Sequence, residues 1–211
     1  MTGEYFHYQE ANTTLVVLLH GLGGGAANFV TYGTVAEILD CRPDANLYGA
    51  NSHFGYYRER VLIERLHADI IQPARAAGID RIWFLSVSLG GMGSLIYQSE
   101  HPEDIEGMIL MAPFLGDWDE LEAYIEDPLN DNASSEAAFV KVWRNLDSQQ
   151  SLQAMLTLAY GEDDSMNRQH QWLASLLAEN RVIAASGEHD WAVWQKLWPQ
   201  ALQRSGLCQP G

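Results

Sequence analysis

The chain has 211 residues, and 47% of them are hydrophobic, which is enough for one sizeable core and a single domain over residues 1–211. Its 28 acidic and 12 basic residues give a formal net charge of -16, which argues against nucleic acids and anionic membranes as partners. The first residues lack the basic start of a signal peptide, and the longest early apolar run, over residues 15–19, is too short to span a membrane.

Short apolar runs alternate with amphipathic stretches along the chain, which is the pattern of a parallel sheet covered by helices on both faces. The predicted strands are residues 4–9, 14–19, 46–48, 82–85, 108–112, 155–160 and 181–185. The predicted helices are residues 28–39, 60–77, 88–100, 167–180 and 191–203. The sequence therefore predicts an α/β fold with a mostly parallel central sheet.

Two segments contain the candidate substrate pocket. Residues 50–57 leave a predicted strand at the carboxyl edge of the sheet, where ligands bind in open α/β folds, and include His53, Phe54 and Tyr56. Residues 113–150 are too long for a simple helical connection, and we predict that they form a small helical cap that includes Trp118. Aromatic packing of a long connection is the alternative interpretation of both segments.

The two cysteines, Cys41 and Cys208, lie far apart in the sequence and near no motif that would pair them or bind a metal. Disulfides persist in oxidising compartments and are rare in the cytoplasm. We therefore predict that both thiols are reduced and that the protein is cytoplasmic.

The sequence Ser86-Val87-Ser88-Leu89-Gly90 follows a predicted strand and opens a predicted helix. A sharp strand-to-helix turn crowds its central residue, so the residues two before and two after must be small, as Ser86 and Gly90 are. The usual pattern has glycine at the first of these positions. Such an elbow lifts the Ser88 hydroxyl above the carboxyl edge of the sheet and directs the N–H of Leu89 toward the same space. A turn of small residues with no chemistry is the alternative.

A glycine-rich stretch, His20-Gly21-Leu22-Gly23-Gly24-Gly25, follows the apolar run Thr14–Leu19. The glycines allow the loop to fold back closely against the neighbouring strand end, where it can supply a second N–H donor for an oxyanion. A phosphate loop is the alternative. However, neither G-x-x-x-x-G-K-[ST] nor G-x-G-x-x-G is present, and the lysine of a phosphate loop is missing.

These two motifs resemble those of α/β-hydrolases of the serine esterase type, and the resemblance covers about residues 15–198. In that family the catalytic acid follows a late strand and the histidine comes last. Here Asp164 follows the predicted strand 155–160, and His189 follows the predicted strand 181–185. Asp163 is an alternative acid, and so is Asp117 or Asp119 after an earlier strand.

The resemblance implies a serine hydrolase that cleaves carboxylic esters or thioesters of a small molecule through an acyl-enzyme, without a cofactor. Ser88 would be the nucleophile, His189 the base and Asp164 the acid that orients the imidazole. The backbone N–H groups of Leu22 and Leu89 would form the oxyanion hole.

Two alternatives to a hydrolase stay open, an acyltransferase with the same triad and a non-catalytic binding protein on a hydrolase fold. The other histidines show no metal-ligand spacing, so the sequence predicts no metal site. It leaves the oligomeric state open.

Overall fold

The computed structural model describes residues 1–128 and 138–209, in which seven strands form one sheet. The strands are β1 Gly3–His7, β2 Thr14–Leu19, β3 Ala45–Ala50, β4 Arg81–Val87, β5 Gly107–Met111, β6 Leu156–Gly161 and β7 Val182–Ala185. Their spatial order is β1-β3-β2-β4-β5-β6-β7. Strand β1 is antiparallel to β3, and the other neighbouring pairs are parallel, which confirms the predicted fold class.

Helical segments connect the strands and pack on the sheet. They are α1 Ala27–Thr31, α2 Thr34–Cys41, α3 Phe54–Arg58, α4 Leu62–Leu66, a π-helical segment His67–Ile71, α5 Gln72–Ala76, α6 Leu89–Glu100, α7 Trp118–Glu126, α8 Ala138–Ser148, α9 Gln150–Met155, α10 Asn167–Leu176, a 3₁₀ turn Glu179–Arg181 and α11 Trp191–Ser205.

The central strands are buried along their whole length, as parallel strands with both faces covered must be. For this reason the continuous apolar runs predicted the bounds of the central strands to within one or two residues of those observed. The chain passes from β2 to β3 on one side and then returns to β4 on the other side of β2. The loops that follow β2 and β4 therefore meet at a topological switch point, where open α/β sheets bind ligands.

Two predicted helices are interrupted. Residues 28–39 form α1 and α2, separated at Gly33, whose φ of 80° lies in the left-handed region that glycine adopts readily. Residues 60–77 contain the π-helical segment between α4 and α5. Both interruptions change the backbone hydrogen bonding locally.

The prediction of two reduced thiols is wrong, because Cys41 and Cys208 form a disulfide. Helix α11 packs against α2, and this contact brings the chain end after α11 to the last residue of α2. The cysteines are thus neighbours in space although 167 positions separate them in sequence. Because disulfides are rare in the cytoplasm, this bond does not support the predicted cytoplasmic location.

Of the predicted cap, residues 113–150, the structure describes 113–128 and 138–150, and the rest lies outside the described residues. Helices α7 and α8 pack on each other and on α10, and α8 also packs on α6. Trp143 is buried, and its indole N–H donates to the carbonyl of Leu115 at 2.7 Å. In the described ranges, no helix has the length and apolarity that a membrane-spanning helix requires.

Candidate active site

Ser88 stands at a strained turn between β4 and α6. Its backbone has φ 51° and ψ -118°, a conformation that side-chain-bearing residues rarely adopt. Three hydrogen bonds hold it: the Ser88 N–H donates to Met111 O at 3.0 Å, and the Ser88 carbonyl accepts from Gly91 N at 2.8 Å and Phe114 N at 2.9 Å. The turn therefore has the geometry of a nucleophile elbow.

Two glycines, one in α6 and one in the loop after β2, pack closely against this turn. A Cβ on Gly90 would lie 2.3 Å from the carbonyl oxygen of Leu19, so only glycine lets α6 begin against the end of β2. A Cβ on Gly21 would lie 3.0 Å from Ser88 Cβ and 3.6 Å from Ser88 Oγ. The loop after β2 thus runs directly beside the Ser88 side chain.

Ser86 occupies the position before the elbow where glycine is usual. It is fully buried in β4, and its Oγ has no hydrogen-bond partner among the described residues. The hydroxyl is therefore accommodated without a polar role in the surrounding packing.

The acid and the histidine are hydrogen-bonded. His189 Nδ1 and Asp164 Oδ2 are 2.6 Å apart, and Asp164 Oδ1 accepts from the Met166 N–H at 2.8 Å. Burial acts to raise the pKa of Asp164, but the hydrogen bonds from His189 and Met166 outweigh it and lower that pKa. Because the carboxylate is ionised, Nδ1 carries the proton and Nε2 is left as the acceptor.

The alternative acids have other partners. Asp163 Oδ2 accepts from the Gly187 N–H at 2.8 Å, and Asp117 Oδ1 caps α7 by accepting from Asp119 N at 2.9 Å. Asp190, next to the histidine, caps α11 through Val193 N at 2.9 Å. Of these carboxylates, only Asp164 bonds to His189.

Ser88 and His189 open into one cavity of about 500 Å³. It is lined by Gly21, Leu22, Gly24, Tyr32, Val87, Ser88, His189, Asp190, Trp191, Ala192 and Trp194. Trp194 meets the His189 ring edge-on at a centroid distance of 4.8 Å, and Tyr32 stacks on Trp191 at 4.7 Å. The N–H groups of Leu22 and Leu89 have no acceptor within the described part of the protein.

The predicted pocket residues His53, Phe54, Tyr56 and Trp118 lie outside this lining. His53 Nδ1 caps α3 by accepting from Gly55 N, and the His53 ring packs on Tyr56 at 4.4 Å. Phe54 is 53% exposed, and the Trp118 ring contacts the guanidinium of Arg168. The lining comes instead from the loop after β2, the elbow, α1 and the start of α11.

His170 is a buried histidine whose pKa is affected by the charge of Asp164. It is fully buried in α10, and its Nε2 donates to the Pro113 carbonyl at 3.1 Å. Burial lowers the pKa of His170 to about 4 although the charge of Asp164 acts to raise it, so the ring is neutral at pH 7. Its sequence signal is weak: it lies three residues before buried Leu173 on an amphipathic helix.

Comparisons with known proteins identify the family and the fold. The family model for the alpha/beta hydrolase fold matches residues 14–211. The human protein named 1-acylglycerol-3-phosphate O-acyltransferase ABHD5 is 29% identical over 118 residues, which are 52% of this chain and 32% of that protein. The chain therefore spans about a third of the length of the curated relatives it matches.

Two solved structures share the fold. S-formylglutathione hydrolase FrmB from Staphylococcus aureus has a TM-score of 0.61 at 13% identity, covering 94% of this chain and 82% of its own. A monoacylglycerol lipase from Paleococcus ferrophilus has a TM-score of 0.58 at 17% identity, covering 98% of each chain. At such identities the likeness shows the fold alone.

Proposed function

The chain belongs to the alpha/beta hydrolase fold family, and from that premise we propose that it hydrolyses carboxylic esters or thioesters of a small molecule through an acyl-enzyme on Ser88. The observation that carries the proposal is the 2.6 Å contact between Asp164 and His189 beside the cavity that His189 shares with Ser88. A serine hydroxyl is a weak nucleophile at neutral pH, and an oriented imidazole is the group that activates it.

In the first half of the reaction, Ser88 Oγ attacks the acyl carbon and its proton passes to His189 Nε2. Asp164 keeps Nδ1 protonated and stabilises the imidazolium that forms. The bond to the leaving alcohol or thiol then breaks, and that group takes the proton from Nε2. Water repeats the sequence on the acyl-enzyme, which releases the acid and restores Ser88.

The negative oxygen of the tetrahedral intermediate needs donors that are in place before it forms. We assign the N–H groups of Leu22 and Leu89, which flank Ser88 from the loop after β2 and from the start of α6. Both lack another acceptor in the described ranges, and the close approach of Gly21 to Ser88 supports the assignment.

The surroundings of the cavity favour an apolar group on the substrate. Beyond Ser88 and His189, the lining includes the aliphatic side chain of Leu22 and the aromatic side chains of Tyr32, Trp191 and Trp194. The predicted cap contributes no residue to the lining in the ranges that the structure describes. Acyl or leaving groups would therefore lie against α1 and α11.

Acyl transfer to an alcohol is the second candidate, and the similarity to ABHD5, named as an acyltransferase, favours it. The triad chemistry is the same, but an alcohol replaces water in the second half-reaction. The two functions differ only in which acceptor reaches the acyl-enzyme.

The test combines a fluorophosphonate probe with p-nitrophenyl esters of increasing chain length. We expect one probe adduct, on the peptide containing Ser88, and a burst of p-nitrophenol equal to the enzyme concentration where deacylation is slow. Adding glycerol or 1-acylglycerol-3-phosphate and measuring the acylated product separates transfer from hydrolysis. Folded protein that takes no probe and cleaves no ester would overturn the proposal and favour a binding protein.

A further inference from the structure

A second cluster of titratable side chains lies away from the candidate active site. One nitrogen each of His67 and His101 and one carboxylate oxygen of Asp104 lie within 4.8 Å of one another, and all three side chains are partly buried. His67 Nδ1 and Asp104 Oδ2 are 3.4 Å apart. The two imidazole rings stack at a centroid distance of 4.1 Å.

The fold places this cluster at the amino edge of the sheet. Asp104 lies three residues before β5, and His101 directly follows α6, which runs back from the elbow. Ser88 follows the carboxyl end of β4, which has seven residues. At about 3.3 Å per residue, the two sites are on the order of 20 Å apart.

We propose that His67, His101 and Asp104 form a binding site for a divalent transition metal of the zinc class. Zinc takes nitrogen and carboxylate ligands at about 2.0–2.2 Å in a tetrahedron, which sets neighbouring donors a little over 3 Å apart. The pair His67 and Asp104 already has this spacing. A nitrogen of His101 lies within 4.8 Å of both atoms, so the His101 side chain would have to move closer to complete the ligand set.

Neighbouring groups hold two of the ligands in place. The Tyr97 hydroxyl donates to Asp104 Oδ2 at 2.6 Å and lies 2.8 Å from His67 Nδ1. A hydrogen bond to a ligating carboxylate, such as that from Tyr97 to Asp104, orients the ligand in known metal sites. To ligate the metal through Nδ1, His67 would carry its proton on Nε2 and lose the contact with Tyr97, while the bond from Tyr97 to Asp104 can persist.

The backbone around the cluster is also fixed. His67 opens the π-helical segment, a distortion that is frequent at functional sites. Arg75 donates to the carbonyl of Asp104 at 2.8 Å and so anchors the loop, although its charge opposes a cation. The chain's net charge of -16 acts in the other direction by attracting cations.

The experiment uses tag-free protein, purified without thiol reductants, stripped with EDTA and dialysed. Isothermal titration calorimetry with zinc sulfate should show one equivalent of zinc bound. In a separate measurement, the midpoint temperature of thermal unfolding should rise with zinc concentration. X-ray absorption of the zinc form should show nitrogen and oxygen ligands at about 2.0–2.1 Å.

The variants His101→Gln and Asp104→Asn keep the size of each side chain and should each weaken zinc binding at least tenfold. His7→Gln removes a histidine outside the cluster and should bind zinc like the wild type. Binding below half an equivalent, or unchanged in both cluster variants, would overturn the metal site. Ester hydrolysis by the EDTA-treated protein should be unchanged, so this result is independent of the function proposed for Ser88.

Discussion

Asp163 and Asp164 are consecutive in sequence but hold two different parts of the histidine loop. Asp164 accepts from the His189 ring at 2.6 Å, and Asp163 accepts from the Gly187 backbone at 2.8 Å. Their side chains diverge after β6, so only one of them reaches the imidazole. The other fixes the segment on which the imidazole is carried.

This division predicts unequal effects of the two amide substitutions. Asp164→Asn should reduce ester turnover by about 10⁴, as the corresponding change does in a serine protease, because the imidazole takes the wrong tautomer. Asp163→Asn retains an oxygen that can accept from the Gly187 N–H. Its ester turnover should stay within about tenfold of the wild type, because the substitution weakens only one hydrogen bond. The measurement is kcat on a common p-nitrophenyl ester, with circular dichroism to check folding. A large loss in Asp163→Asn with near-normal Asp164→Asn would reverse the assignment.

The two serines of the elbow predict another matched pair. Ser88→Ala should abolish probe labelling and reduce turnover by about 10⁶, the loss measured for the triad serine of a well-studied protease. Ser86→Ala should leave both intact, because the Ser86 hydroxyl has no partner in the described structure and its removal exposes no polar group. The measurements are fluorophosphonate labelling and initial rates of ester hydrolysis for the two purified variants. A residual rate above a few per cent in Ser88→Ala would remove Ser88 from the role of nucleophile.

The tight start of α6 predicts a strong effect of one added methyl group. Gly90→Ala places a carbon 2.3 Å from the Leu19 carbonyl and should destabilise the protein by about 1–3 kcal/mol or more, because the backbone itself must shift. Gly25→Ala is the matched control, since no atom lies within 4 Å of its added carbon. Urea unfolding of both variants at pH 7 measures the difference. Equal midpoints would show that α6 tolerates displacement from β2.

The fold was predictable because its strands are continuous apolar runs. The strand predicted over residues 14–19 has the observed bounds, Thr14–Leu19. A strand buried on both faces is a continuous apolar run, so the run itself shows where the strand begins and ends. The spacing of small residues about Ser88 likewise indicated the turn that the backbone adopts. In both cases the signal lies within a few consecutive residues.

Contacts between distant segments could not be predicted in this way. The disulfide of Cys41 and Cys208 depends on α11 packing against α2, and the cluster joins His67 of the π-helical segment to His101 and Asp104 of the connection between α6 and β5. The cavity lining also differs from the predicted pocket residues, because Tyr32 and Trp191 meet only once α1 lies beside α11. Aromatic content alone did not indicate which segments would face Ser88.

His170 predicts a specific loss of stability in acid. Its pKa of about 4 in the folded protein lies below the ordinary histidine value near 6.5, so the unfolded chain binds more protons between these two pH values. Stability is therefore fully present above pH 6.5 and decreases as the pH falls toward 4.

Between pH 6.5 and 5 the contribution of His170 to this loss should be on the order of 2 kcal/mol, from about 1.4 kcal/mol for each pH unit. His170→Gln keeps a donor for the Pro113 carbonyl but does not titrate. Over this pH range its free energy of unfolding should therefore decrease by about 2 kcal/mol less than that of the wild type. Urea unfolding of the two proteins at pH 7, 6 and 5 provides the comparison. Parallel pH profiles for the wild type and His170→Gln would show that the buried ring is not the group that takes up the proton.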